Sequence, residues 1–503
     1  MNRLTKILML LSLSLSISRV SAQSFQMAER RELWSVSSNV TGILRDSVNI
    51  SYAELYFDGE QGDFRSFSDA SSMWSAGAKA ETITHHDRVS MIGAFSYDHS
   101  EGEEMSGSMF ISPNQYPFDL LEFTPGDKTL QSYYLMGGIS SRVDDNWSVG
   151  VKSEFGAQNY AKFKDLRHYN YRMELSLAPS VAYTTGQMRF GANYIFSRNS
   201  EIVKAQEVGS SSASYYAFLD KGLMNGAYET WQGTGVHLDE SGIDGFPVRE
   251  TLHGVAAQVE WRDIYAEVEY MQGCGEVGEK LTYWYEFPSH RYTMRLGYNR
   301  KGGESLQLFR FEASLYSLSN YENVVGSNTS GGVTTTIIYG SNHIFEQQQL
   351  SLSPTYEVMF GSGAGVDIGA NYSQVLSRST LMFPYVKELY TNCYQAYVGG
   401  YIPLGNLYLR GRLLYADGNL RESDYSVASD VVAGESPLHL EEYYNIANEY
   451  LISQRLSGSL SLRYTLSSDI YFEMAARYTQ AFCLSYIAGS NRWGCTLKIG
   501  YNF

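Results

Sequence analysis

The sequence contains little proline and cysteine, and beyond its N-terminal region it has no long apolar run. Ten prolines occur in 503 residues, and the four cysteines, Cys274, Cys393, Cys483 and Cys495, lack C-x-x-C spacing. This pattern argues against a cysteine zinc site, and we expect at least two of the thiols to remain free. No later stretch reaches the ~18 apolar residues of a membrane helix. No linker rich in proline and serine divides the chain into domains.

Positive charge and nucleotide-binding motifs are also scarce. Lys and Arg number 38 against 54 Asp and Glu, a formal net charge of −16, which argues against nucleic acid as a partner. No G-x-G-x-x-G loop lies between a strand and a helix, so we expect no cofactor and no metal. His237-Leu238-Asp239-Glu240 and Ser289-His290 are the remaining candidates for catalysis or ion binding, and neither has a nucleophile motif. We expect no enzymatic activity, and keep a hydrolase site at a barrel rim as the less favoured alternative.

The N-terminus has the parts of a secretory signal peptide. Arg3 and Lys6 form a basic region, residues 7–17 are apolar apart from three serines, and Val20-Ser21-Ala22 offers small residues for cleavage. This segment is too short for a stable membrane span. We therefore expect residues 1–22 to be removed and the mature protein to leave the cytoplasm.

The last twelve residues alternate strictly between apolar and polar side chains. This period of two predicts a strand with one apolar and one polar face, ending on an aromatic residue. Here the chain resembles bacterial outer-membrane β-barrels, whose assembly machinery reads a final strand that ends in Phe. The apolar residues of the assembly signal that this resemblance implies are Trp493, Leu497, Ile499, Tyr501 and Phe503.

Alternating segments along the chain come in pairs joined by very short turns, with longer polar stretches between the pairs. Short and long connections that alternate are typical of a barrel with short periplasmic turns and long extracellular loops. Seventeen segments are clear, and Val48 to Phe57 supplies the additional strand that an even number requires. We expect an all-β fold, a transmembrane antiparallel up-and-down β-barrel of about eighteen strands, with sixteen as the alternative. It spans residues 48–503 and follows a short periplasmic segment, residues 23–47. The long connections are expected at 99–130, 157–169, 198–250, 272–290, 317–344, 376–390, 417–448 and 481–490, and one strand is expected at 449–466.

Apolar and charged residues keep to opposite faces of the predicted strands. Phe190, Ala192, Tyr194 and Phe196 share one face, and charges such as Arg412 lie on the other face of their strand. An Arg or Lys facing lipid costs about 2–4 kcal/mol at the bilayer midplane, so this separation indicates contact with outer-membrane lipid. With the signal peptide and the terminal Phe, the architecture resembles an uncharacterised family of outer-membrane barrels from Bacteroides-type bacteria. The resemblance implies location in the bacterial outer membrane and this fold, without an agreed activity.

The charged residues predicted to face the lumen divide into two walls. In an eighteen-strand barrel these walls face one another, and such opposed charges produce a transverse field that suits passage of small polar solutes. The alternative is that lumen charges only pair with their neighbours, as we expect for Lys152/Glu154, Arg172/Glu174 and Arg310/Glu312. The two predicted walls are Glu260, Glu267 and Glu269 on one side, and Arg463, Arg477 and Lys498 on the other.

A barrel of sixteen to eighteen strands leaves an aqueous channel unless its own loops fill it. The longest loop, Arg198 to Glu250, contains Tyr215, Tyr216, Phe218, Trp231 and Phe246, and we expect it to fold inward and narrow the lumen. The sequence thus favours a passive pore or transporter for small polar solutes. The alternative is a surface adhesion or scaffold barrel that partners other envelope proteins through its long aromatic loops.

The final residue provides a test of the assembly signal. Deleting Phe503, or the substitution Phe503→Asp, should impair insertion into the outer membrane and leave export across the inner membrane intact, because Phe503 ends the apolar face of the last strand. Immunoblots of membrane and periplasmic fractions measure this. Normal outer-membrane levels of the Asp variant would contradict the prediction.

Overall fold

The structure, a computed structural model, consists almost entirely of β-strands. Within the described part of the chain, no helix is both long enough and apolar enough to cross a bilayer. The predicted signal peptide lies outside the described residues. The structure describes residues 33–34, 37–45, 49–206, 208, 217–224, 229–230, 243–279, 282–330, 333–381, 386–423, 440–466 and 469–503.

Eighteen strands form a closed antiparallel barrel, as predicted. Each strand pairs with the next one around the ring, and the first, β1 (Ile50–Gln61), pairs with the last, β20 (Asn491–Asn502), with Leu55 opposite Ile499. Strands β8 (Ala217–Asp220) and β9 (Glu229–Thr230) are short and lie outside this ring, so β7 pairs with β10. The other barrel strands are β2 (Ser72–His86), β3 (Val89–Ser108), β4 (Asp119–Arg142), β5 (Trp147–Lys162), β6 (Arg167–Thr185), β7 (Met188–Gln206), β10 (Ile243–Trp261), β11 (Ile264–Glu279), β12 (Thr282–Gly302), β13 (Ser305–Ser330), β14 (Val333–Phe360), β15 (Gly365–Ser379), β16 (Lys387–Leu404), β17 (Leu407–Glu422), β18 (Gln454–Thr465) and β19 (Ile470–Phe482).

The outward side chains form an exposed apolar belt. Phe190 and Tyr194 of β7 and Leu413 of β17 are exposed on this face, as the alternation predicted. The proposed assembly residues Trp493, Leu497, Ile499, Tyr501 and Phe503 also point outward and are exposed. A closed barrel with an apolar outer belt and charges on its inner face is built to cross a bilayer. The protein is therefore a transmembrane β-barrel of the bacterial outer membrane.

Short turns join the two strands of each pair at the end of the barrel where β1 begins and β20 ends. The tightest are two-residue hairpins, and Gly186 and Gly405 in these turns adopt positive φ angles of 56° and 65°. Such angles suit glycine because it has no Cβ, and they match the twist of a hairpin. By the predicted orientation this end is periplasmic, and the opposite end is called outer below.

At the outer end the strands are longer than the sequence predicted. Strands β13 and β14 continue to Ser330 and Val333, so the expectation of a loop over 317–344 was wrong. The expected loops at 99–130 and 272–290 are also largely strand. Beyond the membrane no lipid demands an apolar face, so backbone pairing continues with polar side chains and the alternation that marks a strand disappears.

A helix, α1 (Leu440–Ile452), occupies the position where the sequence predicted the end of a loop and the beginning of a strand. The expected strand at 449–466 therefore begins later, at Gln454. Apolar residues at 440, 443, 446 and 450 follow helical spacing, and Glu441 and Glu442 in the first turn favour the helix dipole. This spacing was the signal that a strand-based interpretation missed.

Candidate functional site

One side of the lumen wall carries basic side chains in ion pairs. Each of the three basic residues predicted for this wall forms an ion pair with a carboxylate of β19 or β1. The N–O distances are 2.7 Å for Arg463–Glu473, 2.6 Å for Arg477–Asp58, 2.7 Å for Arg477–Glu60 and 3.2 Å for Lys498–Glu54. The expected alternative, pairing with neighbours, thus applies to all three residues.

Within these pairs the cation lies closer to the lumen water than the carboxylate does. The side chain of Arg477 is 39% exposed and that of Asp58 is 17% exposed. On the neighbouring strands, Arg412 is 36% exposed and its partner Asp367, at 2.5 Å, is 7% exposed. The ring of Tyr397 stacks 4.2 Å from the Arg412 guanidinium and supports it. This side of the lumen therefore presents positive charge to solvent.

The three carboxylates predicted for the opposite wall do not face the lumen water. Glu267 and Glu269 are buried and both pair with Arg295 of the next strand. Glu260 is buried as well and pairs with Arg45 of the N-terminal segment. The expectation that these groups face the basic wall across open solvent was wrong, because the chain's own N-terminal segment and Arg295 cover them.

Other carboxylates present negative charge to the lumen. Glu174 of β6 is 48% exposed and its partner Arg172 is 10% exposed. Glu154 and Glu312 are likewise more exposed than their cationic partners, Lys152 and Arg295. The predicted pairs of Lys152 and Arg172 are confirmed, whereas Glu312 pairs with Arg295 and Arg310 donates to Asn299 at 2.6 Å. Strands β6 and β17 are diametrically opposite in the ring, so the exposed charges of Glu174 and Arg412 lie on opposing sides.

Residues 33–34 and 37–45, called the strap below, lie inside the periplasmic end of the barrel. Trp34 donates its indole N–H to Glu260 at 2.6 Å, and its ring lies 4.4 Å from the Arg189 guanidinium. Asn39 donates to Gln258 at 2.9 Å and caps a short 3-10 helix, Val40–Leu44. The strap therefore occupies the lumen side of the wall that carries Glu260 and Glu267.

The outer mouth is filled by three segments, which together are called the outer lid: residues 109–118, residues 217–224 and α1. Strand β8 pairs with the outer end of β4, with Leu219 opposite Leu120. Apolar side chains of the first two segments form one buried cluster with inward residues of strands from β4 to β14. The predicted inward folding of the longest loop is confirmed for residues 217–224, and Tyr215, Tyr216 and Trp231 lie outside the described residues.

Helix α1 extends this cover towards β19. Tyr443 packs with Phe218 of β8, and Ile446 packs with Ala481 of β19. The Glu449 carboxylate accepts backbone N–H groups of the β19–β20 loop, at 2.8 Å from Tyr486 and 2.7 Å from Ile487. The helix is thus fixed to β8 near its N-terminal end and to the rim near its C-terminal end.

Charged groups are buried beneath the lid, above the membrane belt. Glu122 pairs with Lys162 at 2.6 Å and with Lys128 at 3.4 Å, and all three side chains are fully buried. Burial raises the pKa of Asp119 to about 8, and Asp220 adds to this effect against the hydrogen bond from Ser108. Burial also lowers the pKa of Lys162 to about 8 in spite of Glu122. The stability of the closed lid therefore depends on the protonation state of Asp119 and Lys162, which both lie outside the membrane belt.

The structure does not assemble the candidate catalytic pair. Ser289 and His290 are successive residues of β12, so their side chains point to opposite faces of the wall. His290 contacts Tyr270 on its own face, with Nδ1 3.0 Å from the phenol oxygen. His237-Leu238-Asp239-Glu240 lies outside the described residues.

Comparison with known proteins assigns a family. Residues 40–503 match the model of a family of unknown function, DUF6850. The chain belongs to this family. No curated protein matches its sequence significantly.

Solved structures with similar folds include outer-membrane proteins of very different sequence. The ferric preacinetobactin receptor from Acinetobacter baumannii is 8% identical, with 91% of this chain and 80% of the receptor covered and a TM-score of 0.41. The outer membrane transporter YddB from Escherichia coli is 7% identical, with 90% and 80% covered and a TM-score of 0.43. Because these TM-scores are below 0.5, the similarities carry no information about function or ligand.

The buried Asp119 predicts a pH-dependent lid. Its pKa is raised in the closed lid, so the stability that neutral Asp119 contributes is full below the ordinary value of 3.8 and is lost as the pH rises through about 8. Hydrogen exchange of amides 109–118 should therefore become faster in wild type than in Asp119→Asn as the pH rises. The ratio of the two exchange rates should increase by up to about tenfold per pH unit between pH 6 and 8 and stay constant above pH 8.

Comparing the two proteins at each pH cancels intrinsic exchange and the contribution of Lys162. The matched control is Asp127→Asn, on an exposed residue of the same strand. A ratio of wild type to Asp119→Asn that stays constant from pH 6 to 9 would show that Asp119 does not titrate with the lid.

Proposed function

We propose that this barrel carries small polar solutes across the outer membrane by passive passage through its lumen. The observation that supports the proposal most directly is the opposed, solvent-exposed charge on the two sides of the wall. Arg412 and Arg477 present positive charge on one side, and Glu174 presents negative charge on the other. A protein that used its barrel only as an anchor would need no exposed charge in the lumen.

The ion pairs favour passage over tight binding. Each exposed guanidinium or carboxylate rests on a partner of opposite charge, which fixes its position and reduces its net charge. Fixed charges of this kind orient dipolar solutes and hold water without trapping a single ligand, since conduction requires sites that are weak enough to leave. The outer lid fills the mouth on the side of β4 to β14, so passage proceeds when the lid is displaced.

A second candidate function, a scaffold for a partner protein, is favoured by the β13–β14 hairpin. Strand β12 pairs with β13 only as far as Glu322, and β14 pairs with β15 only from Phe345. Asn323, His343 and Ile344 still bond to the neighbouring segments. Between Val324 and Asn342 the described residues of the hairpin pair only with each other, and Val324, Ile338 and Tyr339 are exposed there. Exposed apolar strands with open edges are suited to pairing with another chain.

Planar-bilayer recordings of a lid variant distinguish the two functions. Replacing residues 207–242 by a short Gly-Ser turn removes β8 from the mouth and keeps barrel strands β7 and β10 intact. We expect this variant to conduct ions at a level several-fold above wild type. In the same background, Arg463, Arg477 and Lys498 changed together to Gln should raise cation preference, because Glu473, Asp58 and Glu54 remain.

The matched control replaces Glu154, Glu174 and Glu312 by Gln and should shift the reversal potential in the opposite direction. Heat-modifiable migration in detergent gels establishes that each variant is folded. A folded lid variant without conductance would contradict the transport proposal and favour the scaffold function.

A further inference from the structure

We propose that the strap is a displaceable inner gate that narrows the periplasmic mouth of the lumen. This inference rests on the proposed transport function and assigns the control of passage to residues 33–34 and 37–45. The strap lies across the inner faces of β3 to β7 and β10 to β12. It covers the same side of the barrel as residues 109–118 and 217–224 of the outer lid, and its described residues do not reach the basic wall of β17 to β20.

The strap is held by side chains and takes no part in the barrel sheet. Among the described residues, its backbone–backbone hydrogen bonds are internal, from Gly42 to Asn39 for example. Its contacts with the wall use side-chain groups, such as the bond of 2.8 Å from Asn193 to Ser38. Release of the strap therefore breaks no hydrogen bond of the sheet, and the closed ring remains intact.

The wall is shaped to receive the strap. A Cβ at residue 191 would stand 2.6 Å from the Trp34 ring, and a Cβ at residue 150 would stand 2.6 Å from Cγ1 of Val40. Both distances are below van der Waals contact, so glycine at these positions provides the space in which the strap lies. This fit defines one bound position of the strap, so we expect the gate to be either closed or open.

The recess remains compatible with water when the strap leaves. Most of its floor is polar, formed by Gln258, Asn193 and Glu260, and its buried apolar part consists of Ala182 and Tyr265. Release of the strap takes Arg45 and the Trp34 indole from Glu260, and water can hydrate this carboxylate in their place. Glu267 keeps Arg295 as its partner, so no isolated charge is created there. The outer lid differs, because its displacement exposes a large cluster of buried aromatic and aliphatic side chains. The strap is therefore the closure that opens at lower cost.

A disulfide that locks the strap tests the gate. Val40→Cys and Gly150→Cys bring two cysteine side chains together, because a Cβ at residue 150 would stand 2.6 Å from Cγ1 of Val40. An oxidant can therefore join them. The four native cysteines are replaced by serine, and residues 207–242 are replaced as above so that β8 no longer covers the outer mouth. Bilayer conductance is recorded after oxidation and after reduction, with each single-cysteine variant as a control. A further variant lacks residues 33–45.

We expect conductance that is several-fold lower in the oxidised double variant than in the variant without the strap. The reduced form should switch between the two levels, and the single-cysteine variants should not respond to oxidant. Equal conductance with the strap locked, free or deleted would overturn the gate. A reduced form fixed at the locked level would also overturn it, since the strap would then be a permanent plug. Absence of current even without the strap and residues 207–242 would instead contradict the proposed transport function.

Discussion

The closing contact between β1 and β20 is the constraint on which the rest of the structure depends. Lipid offers no hydrogen-bond partner, so every backbone N–H and C=O in the bilayer must be paired within the protein. Pairing the first strand with the last removes both sheet edges. Closure also separates two environments: outward residues meet lipid and are apolar, and inward charges must be satisfied by one another, by water or by the chain itself.

The inward charges meet this requirement in two ways. On the side of β17 to β20, cations such as Arg477 lie over carboxylates that are less exposed than they are, and face water. On the side of β4 to β14, the strap covers the wall at the inner end and the lid covers it at the outer end, and carboxylates such as Glu174 face water between them. Between the strap and the lid, both sides of the lumen thus carry charges that face water, and we propose that solutes pass between them when the lid is displaced.

The strands could be predicted because lipid requires apolar residues on the outward face, which produces an alternation of apolar and polar residues. The even strand number and the outward position of Phe503 follow from the same pattern. Outside the bilayer this enforcement ends, so the extensions of β13 and β14 and the helix α1 were not predicted. The contacts that form only when the barrel closes could not be predicted from the sequence either. Glu260 lies on a face that alternation identified, but its partner Arg45 is far away in the chain and meets it only inside the barrel.

The closing seam can be tested through a native cysteine. Gly59 of β1 lies directly opposite Cys495 of β20. With the other three cysteines changed to serine, Gly59→Cys should allow a short thiol-specific reagent to join residues 59 and 495 within one chain in outer membranes, and Cys495→Ser should abolish the link. Failure to cross-link a folded variant, or links formed only between chains, would contradict the closed barrel and its register.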